Sequence, residues 1–233
     1  NIVGDALEQL GPDDLLLVCS DHGFATWRRS INYNTWLVQH GFLALKGGDE
    51  KQADLEMLFG QGEFWPNVDW SRTRAYSMGL GEIYVNLRGR EAQGIVEPGA
   101  EYDALRQEIR TKLTALVDEA TGRRPVENVY TREEAYGSFD PDLIPDLFVT
   151  NSEGYRVSWQ ASLGVVTPEL YEVNRQVWSG DHCSVDPDVV PGILFSSRPL
   201  RKEPRPNMAD VPATIYKALG LTPPEKLDGV PLF

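Results

Sequence analysis

Apolar residues recur at two spacings along this chain, and the switches between them predict alternating helices and strands. Residues 2–10 have helix-like spacing and run into Gly11-Pro12, a strong stop. Leu15 to Cys19 then form a continuous apolar run between Asp13-Asp14 and Ser20-Asp21-His22-Gly23, the pattern of a central strand buried on both faces. Residues 32–40 predict a short helix stopped by Gly41, and 42–45 a short strand. No period is legible over 47–67, which predicts an irregular surface excursion. Residues 74–78 and 82–87 predict a hairpin around Gly79-Leu80-Gly81. The clearest helical stripe is Leu105, Ile109, Leu113, Leu116, Val117 and Ala120, predicting a helix over 102–121 that stops at Gly122. Short β-rich runs follow at 146–150 and 192–196, and a helix at 208–219 ends on Gly220. Strands alternating with helices predict an α/β architecture with a layered sheet. The simplest organisation is one domain over 1–233, with a hairpin-bearing insertion over 47–98.

Composition narrows the function classes. With 41% hydrophobic and 24% charged residues the chain is an ordinary globular one. Lys and Arg number 22 against 35 Asp and Glu, a formal charge of -13, which argues against nucleic-acid binding. The longest apolar run falls far short of the roughly 20 residues that span a bilayer, so no membrane span is expected. The chain opens on Asn1 inside an expected helix, with no signal-peptide pattern, and its start reads as cut. Chemistry rests on three histidines, His22, His40 and His182, and two cysteines, Cys19 and Cys183.

Asp21 and His22 follow an expected strand directly, and at a strand end turning into a loop both side chains can face one point. A carboxylate and an imidazole suit one borderline metal such as zinc or manganese. The alternative is that Asp21 caps a turn and His22 bonds to it. His182, in Gly180-Asp181-His182-Cys183-Ser184, is a second imidazole in a Gly-flanked loop before an expected strand, with surface decoration as its alternative. His40 is explained by its place at a helix C-terminus. Cys19 lies in an apolar run expected to be buried, where a thiol acts as a small hydrophobe. Two free thiols fit a reducing, cytoplasmic compartment. Phe64, Trp65, Trp70 and Tyr76 would either fill a small satellite core or wall a leaving group. No glycine-rich phosphate loop or Gly-x-Ser-x-Gly elbow is present.

Leu16 to Phe24, reading Leu-Leu-Val-Cys-Ser-Asp-His-Gly-Phe, resembles the metal-binding segment of the type I phosphodiesterase and nucleotide pyrophosphatase family, within the alkaline phosphatase superfamily. The segment from Asn207 to Tyr216, Leu219-Gly220-Leu221, and Leu227-Asp228-Gly229-Val230-Pro231-Leu232 resemble that superfamily's closing helix and final turn. Gly81 to Leu87, with Gly89-Arg90-Glu91 and Gly94-Ile95-Val96, resembles a segment of bacterial phosphodiesterase-like members.

The resemblance implies a layered α/β/α sandwich with a largely parallel central sheet, here an N-terminally truncated portion. It implies phosphoryl transfer on a small phosphodiester or nucleotide-like substrate, with two divalent transition metals, zinc or alternatively manganese, flanking a Thr or Ser nucleophile. In that pattern Asp21 and His22 bind one metal and His182 the other. The nucleophile and the remaining ligands would precede residue 1, in a missing N-terminal portion of the same polypeptide. The isolated chain is therefore expected to bind metal weakly, if at all, and to be inactive. Sulfatase and phosphosugar mutase are the competing enzyme readings, and a non-catalytic binding or structural domain is the competing class. Hard-ion sulfatase sites fit His22 and His182 less well than a softer metal does, and no basic cluster for a second phosphate stands out.

Overall fold

The computed structural model describes residues 1–47, 65, 67–201 and 205–233. Its elements, in order, are α1 (Ile2–Gln9), β1 (Leu17–Cys19), β2 (Ala25–Ile31), α2 (Tyr33–Gln39), β3 (Ala75–Ser77), β4 (Glu82–Val85), α3 (Ala100–Thr114), β5 (Val126–Thr131), α4 (Arg132–Ala135), β6 (Leu147–Asn151), β7 (Gly154–Val157), α5 (Trp159–Ser162), β8 (Tyr171–Val173), β9 (Gly180–Asp181), β10 (Leu194–Ser196) and α6 (Asp210–Ala218). This is a mixed α/β chain, divided into two compact units: Asn1–Gly23 with Pro191–Phe233, and Phe24–Val190.

In the first unit β1 and β10 form an antiparallel two-stranded ribbon, Leu17 opposite Ser196 and Cys19 opposite Leu194. This corrects the expected central strand. The run pairs on one edge with a single strand, so Leu17 and Val18 are only partly buried and Cys19 is exposed. Helix α6 is held to the C-terminal segment by two side chains. The Asp210 carboxylate accepts from the Asn207 and Val230 amides at 2.9 Å each and pairs with Arg201 at 2.9 Å. Thr214 Oγ1 donates to the Asp210 carbonyl and accepts from the Leu232 amide at 3.0 Å. The 207–232 motif is thus a helix with its own tail stapled along it.

The second unit holds the main core and two sheets. One has β2 between β7 and β8, with β9 also on β2, and the other runs β3-β4-β6-β5. Of the strand pairings in the described residues only β2 with β7 is parallel. The largely parallel sheet is therefore not what these residues form. Short connections such as 79–81 close hairpins, whereas parallel neighbours need long crossovers. The predicted hairpin is present, with Ser77 opposite Ile83.

Helix α2 forms because the Asn32 side chain accepts from the Thr35 amide at 3.0 Å, and it stops at Gly41, whose φ of 71° favours glycine. It buries Trp36 and Leu37 completely, each worth about 1.5–3 kcal/mol of apolar transfer. Residues 42–45 are not a strand. Leu45 makes one bridge to Val68, while the Phe42 carbonyl accepts from the Arg74 and Ala75 amides at 2.7 and 3.1 Å.

Helix α3 ends at Thr114, earlier than its stripe implied. Asp118 is buried, takes an ion pair from Arg29 at 2.6 Å and accepts the Tyr155 hydroxyl at 2.9 Å, which pulls the chain out of helical register. The Arg90 of the 81–96 motif also proves structural. With Tyr102 Oη it grips the fully buried Asp146 carboxylate, which accepts the Val85 amide as well, locking α3, β4 and β6 together.

The irregular stretch expected over 47–67, including Phe64, falls largely outside the described residues. Trp65, Trp70 and Tyr76 meet edge to face with ring centroids 5.3–6.0 Å apart and belong to the core or pack on it. Gly164, at φ 86°, passes so close to Trp65 that a Cβ would sit 2.5 Å from the ring.

Candidate functional site

The turn after β1 is fixed by Ser20. Its amide donates to the Ile193 carbonyl at 3.0 Å and its Oγ accepts from the Ile193 amide at 3.0 Å. Gly192 lets the two segments approach this closely, since a Cβ there would lie 2.4 Å from the Ser20 carbonyl oxygen. Held on this base, the Asp21 side chain is 74% exposed. Its Oδ1 accepts the His22 amide at 3.1 Å, the capping role weighed from sequence, and also lies 3.6 Å from His22 Nε2. The Gly23 carbonyl sits 2.8 Å from His22 Nδ1. A carbonyl can only accept, so Nδ1 carries the proton in the neutral ring and Nε2 is the nitrogen that keeps a lone pair. Asp21 Oδ1 and His22 Nε2 thus lie close together at the end of β1.

In the second unit β9 pairs antiparallel with β2, placing Asp181 opposite Ala25 and delivering His182 to the loop that follows. The His182 ring is partly buried and meets Phe24 edge to face at 5.2 Å. Asp181 is buried and its Oδ1 accepts the amides of His182 at 2.9 Å and Cys183 at 3.1 Å. The Cys183 Sγ lies 4.0 Å from His182 Nε2. Burial and the neighbouring Asp181 carboxylate push the Cys183 thiol up from its ordinary pKa. Both cysteines are free thiols, but Cys19 is exposed rather than buried as expected.

Two side chains at this loop carried no role in the sequence. Arg156 on β7 is fully buried, its Nε 2.9 Å from Asp181 Oδ2, and burial lowers its pKa. Ser184 Oγ accepts the Val157 amide at 2.9 Å and donates to Asn151 Oδ1 at 2.9 Å. A trace was available for the first: an arginine inside the short apolar run Tyr155-Arg156-Val157 needs a buried partner. His40, excluded from the site, stacks on Trp36 at 4.2 Å and contacts the Trp36 carbonyl from Nδ1 at 2.9 Å. Among the described residues no group of three or more His, Cys, Asp or Glu side chains converges in a way that could hold a metal ion. No helix in them is long and apolar enough to cross a membrane.

The chain belongs to the type I phosphodiesterase / nucleotide pyrophosphatase family, whose model matches residues 1–180. Membership makes it a phosphoester hydrolase by type, and the match includes Asp21 and His22 and stops just before His182. Comparisons with curated proteins and with solved structures gave no match.

Proposed function

We propose that this chain supplies metal ligands to a metal-dependent hydrolase of phosphodiester or pyrophosphate bonds, with Asp21 and His22 on one divalent transition metal and His182 on the other. One observation supports it above the rest. Two acceptor atoms, Asp21 Oδ1 and His22 Nε2, stand 3.6 Å apart. Two ligands of a tetrahedral zinc, each about 2.0–2.1 Å from the ion, are separated by about 3.3 Å. The donor set and its spacing thus fit such an ion after a small side-chain adjustment, and the Gly23 carbonyl already fixes the tautomer that ligation through Nε2 needs.

When bound, such ions would supply Lewis-acid stabilisation of the charge that develops on the transferred phosphoryl group. The residues of this chain do the holding. Ser20 and Gly192 fix the backbone from which Asp21 and His22 project, and the high exposure of Asp21 leaves its carboxylate accessible to a cation, beside which a small phosphodiester or nucleotide-like substrate would bind. His182 contributes an imidazole from a separately anchored loop. Zinc suits this nitrogen and oxygen set, and manganese is the alternative.

The test is metal analysis of the full-length protein after zinc loading, paired with hydrolysis of a generic aryl phosphodiester. Two bound zinc ions, a loss of zinc affinity in Asp21→Ala and His22→Ala, and loss of hydrolysis with it are expected. Absence of bound metal in the loaded protein would sink the proposal and favour a non-catalytic binding or structural domain.

A further inference from the structure

We infer that Arg156 is a positioning residue for His182, acting through Asp181; this rests on the proposed role of His182 as a metal ligand. Arg156 is a charged side chain with no solvent exposure, flanked by the rings of Trp159 and Trp27 at 4.1 and 5.0 Å. Its Nε donates to the Val157 carbonyl at 3.0 Å and lies 2.9 Å from Asp181 Oδ2, while Nη1 and Nη2 have no hydrogen-bond partner among the described residues. A buried ion pair with donors left over is a poor stabiliser, because desolvation is offset only when the remaining hydrogen bonds are made. What the pair does accomplish is geometric. It holds the carboxylate whose other oxygen accepts the amides of His182 and Cys183, so the guanidinium fixes the backbone from which the imidazole projects.

The far end of the loop is tied to the same strand. Ser184, strained at φ 60°, takes the Val157 amide on its Oγ, so adjacent residues of β7, Arg156 and Val157, anchor the positions just before and two after His182. A loop tethered twice within four residues to one strand holds its central side chain far more narrowly than a surface loop does. Outer groups that orient a metal-binding histidine typically change metal affinity by about 10–100-fold when removed.

The experiment measures zinc affinity of the full-length protein by competition with a chromophoric chelator, with the cobalt(II) absorption spectrum as a second readout. The variants are Arg156→Lys, the double variant Arg156→Met/Asp181→Asn, and His182→Ala. The double variant leaves no unpaired buried charge and keeps an amide oxygen to accept the two backbone amides, so it folds even if single substitutions do not. Expected is about 10–100-fold weaker binding of one of the two zinc ions in the double variant, a smaller loss in Arg156→Lys, and an altered cobalt spectrum, with unfolding near the wild-type midpoint. A folded double variant that binds both zinc ions as the wild type does overturns the positioning role. If His182→Ala binds both at wild-type affinity, the ligand role of His182 fails first, and the inference fails with it.

Discussion

Two Asp-His steps in this chain, at 21–22 and 181–182, share a dipeptide and have opposite surroundings. In both, Oδ1 of the aspartate accepts the amide of the following histidine, at 3.1 and 2.9 Å. The local turn is therefore a property of the dipeptide itself. The second carboxylate oxygen is where they part. Asp21 keeps 74% of its side chain exposed, whereas Asp181 keeps 2% and is taken by Arg156. The first aspartate stands open to solvent, and the second is committed to holding a loop. The same two letters thus form an exposed carboxylate beside an imidazole in one place and a buried support for a partly buried imidazole in the other.

The largest difference between the two should appear in stability. Asp181→Ala leaves the Arg156 charge buried and uncompensated, a change that costs about 3–5 kcal/mol. Asp21→Ala removes an exposed side chain and should stay within about 0.5 kcal/mol of wild type. Urea unfolding of both variants checks this, and equal losses would break the contrast. One step smaller, Gly192→Ala places a Cβ 2.4 Å from the Ser20 carbonyl, a backbone atom with little room to yield. A destabilisation of about 1–3 kcal/mol is expected. Because the same contact carries Asp21 and His22, zinc affinity should fall with it. Loss of stability without loss of affinity would show that the turn does not depend on that close approach.

Acid should then separate the two regions further. Asp186, four residues after His182, is buried, and burial alone would raise its pKa. Donors from Asn128, Thr150, Tyr130 and the Asp188 amide outweigh this and hold it below the ordinary 3.8. A depressed folded-state value stabilises above the unfolded one, and that contribution disappears as pH falls through the folded value. The stability gap between wild type and Asp186→Asn should therefore be constant near neutrality and shrink as pH drops from about 5 toward 2. A gap that grows on acidification contradicts the hydrogen-bond network.

The helices α1, α2, α3 and α6 and the predicted hairpin were legible in the chain because their signals are local, an Asn32 cap, a Gly41 or Gly220 stop, a Gly79-Leu80-Gly81 turn, whereas the one-turn helices α4 and α5 left no period to read. The strand β2 was not legible, though three other strands pair with it. Its Trp27-Arg28-Arg29-Ser30 reads as polar surface, and Arg29 sits inside only because Asp118, 89 residues away, meets it. Non-local pairing also cut α3 short at Thr114 and turned the Leu15 to Cys19 run from an expected central strand into a ribbon edge. In the candidate site, Asp21 and His22 stand out in sequence because two ligand types adjoin at a strand end. Arg156 shows only as an arginine within an apolar run, and what it meets is hidden, since its partner Asp181 is 25 residues on and the pair exists only once β7 and β9 have both joined β2.

The smallest expected effect concerns the two thiols, one beside each Asp-His step. Cys19 is exposed, and Cys183 is partly buried with its pKa raised first by burial and then by the Asp181 carboxylate. Thiolate is the reactive form, so both access and protonation slow Cys183. Timed alkylation with iodoacetamide near neutral pH, read by mass spectrometry of each peptide, should label Cys19 first. In the Arg156→Met/Asp181→Asn variant the carboxylate is gone and its tether with it, so Cys183 should react faster while Cys19 keeps its wild-type rate. Equal acceleration at both positions would point to general loosening of the fold, and none at Cys183 would show that the loop keeps its closed form without the ion pair.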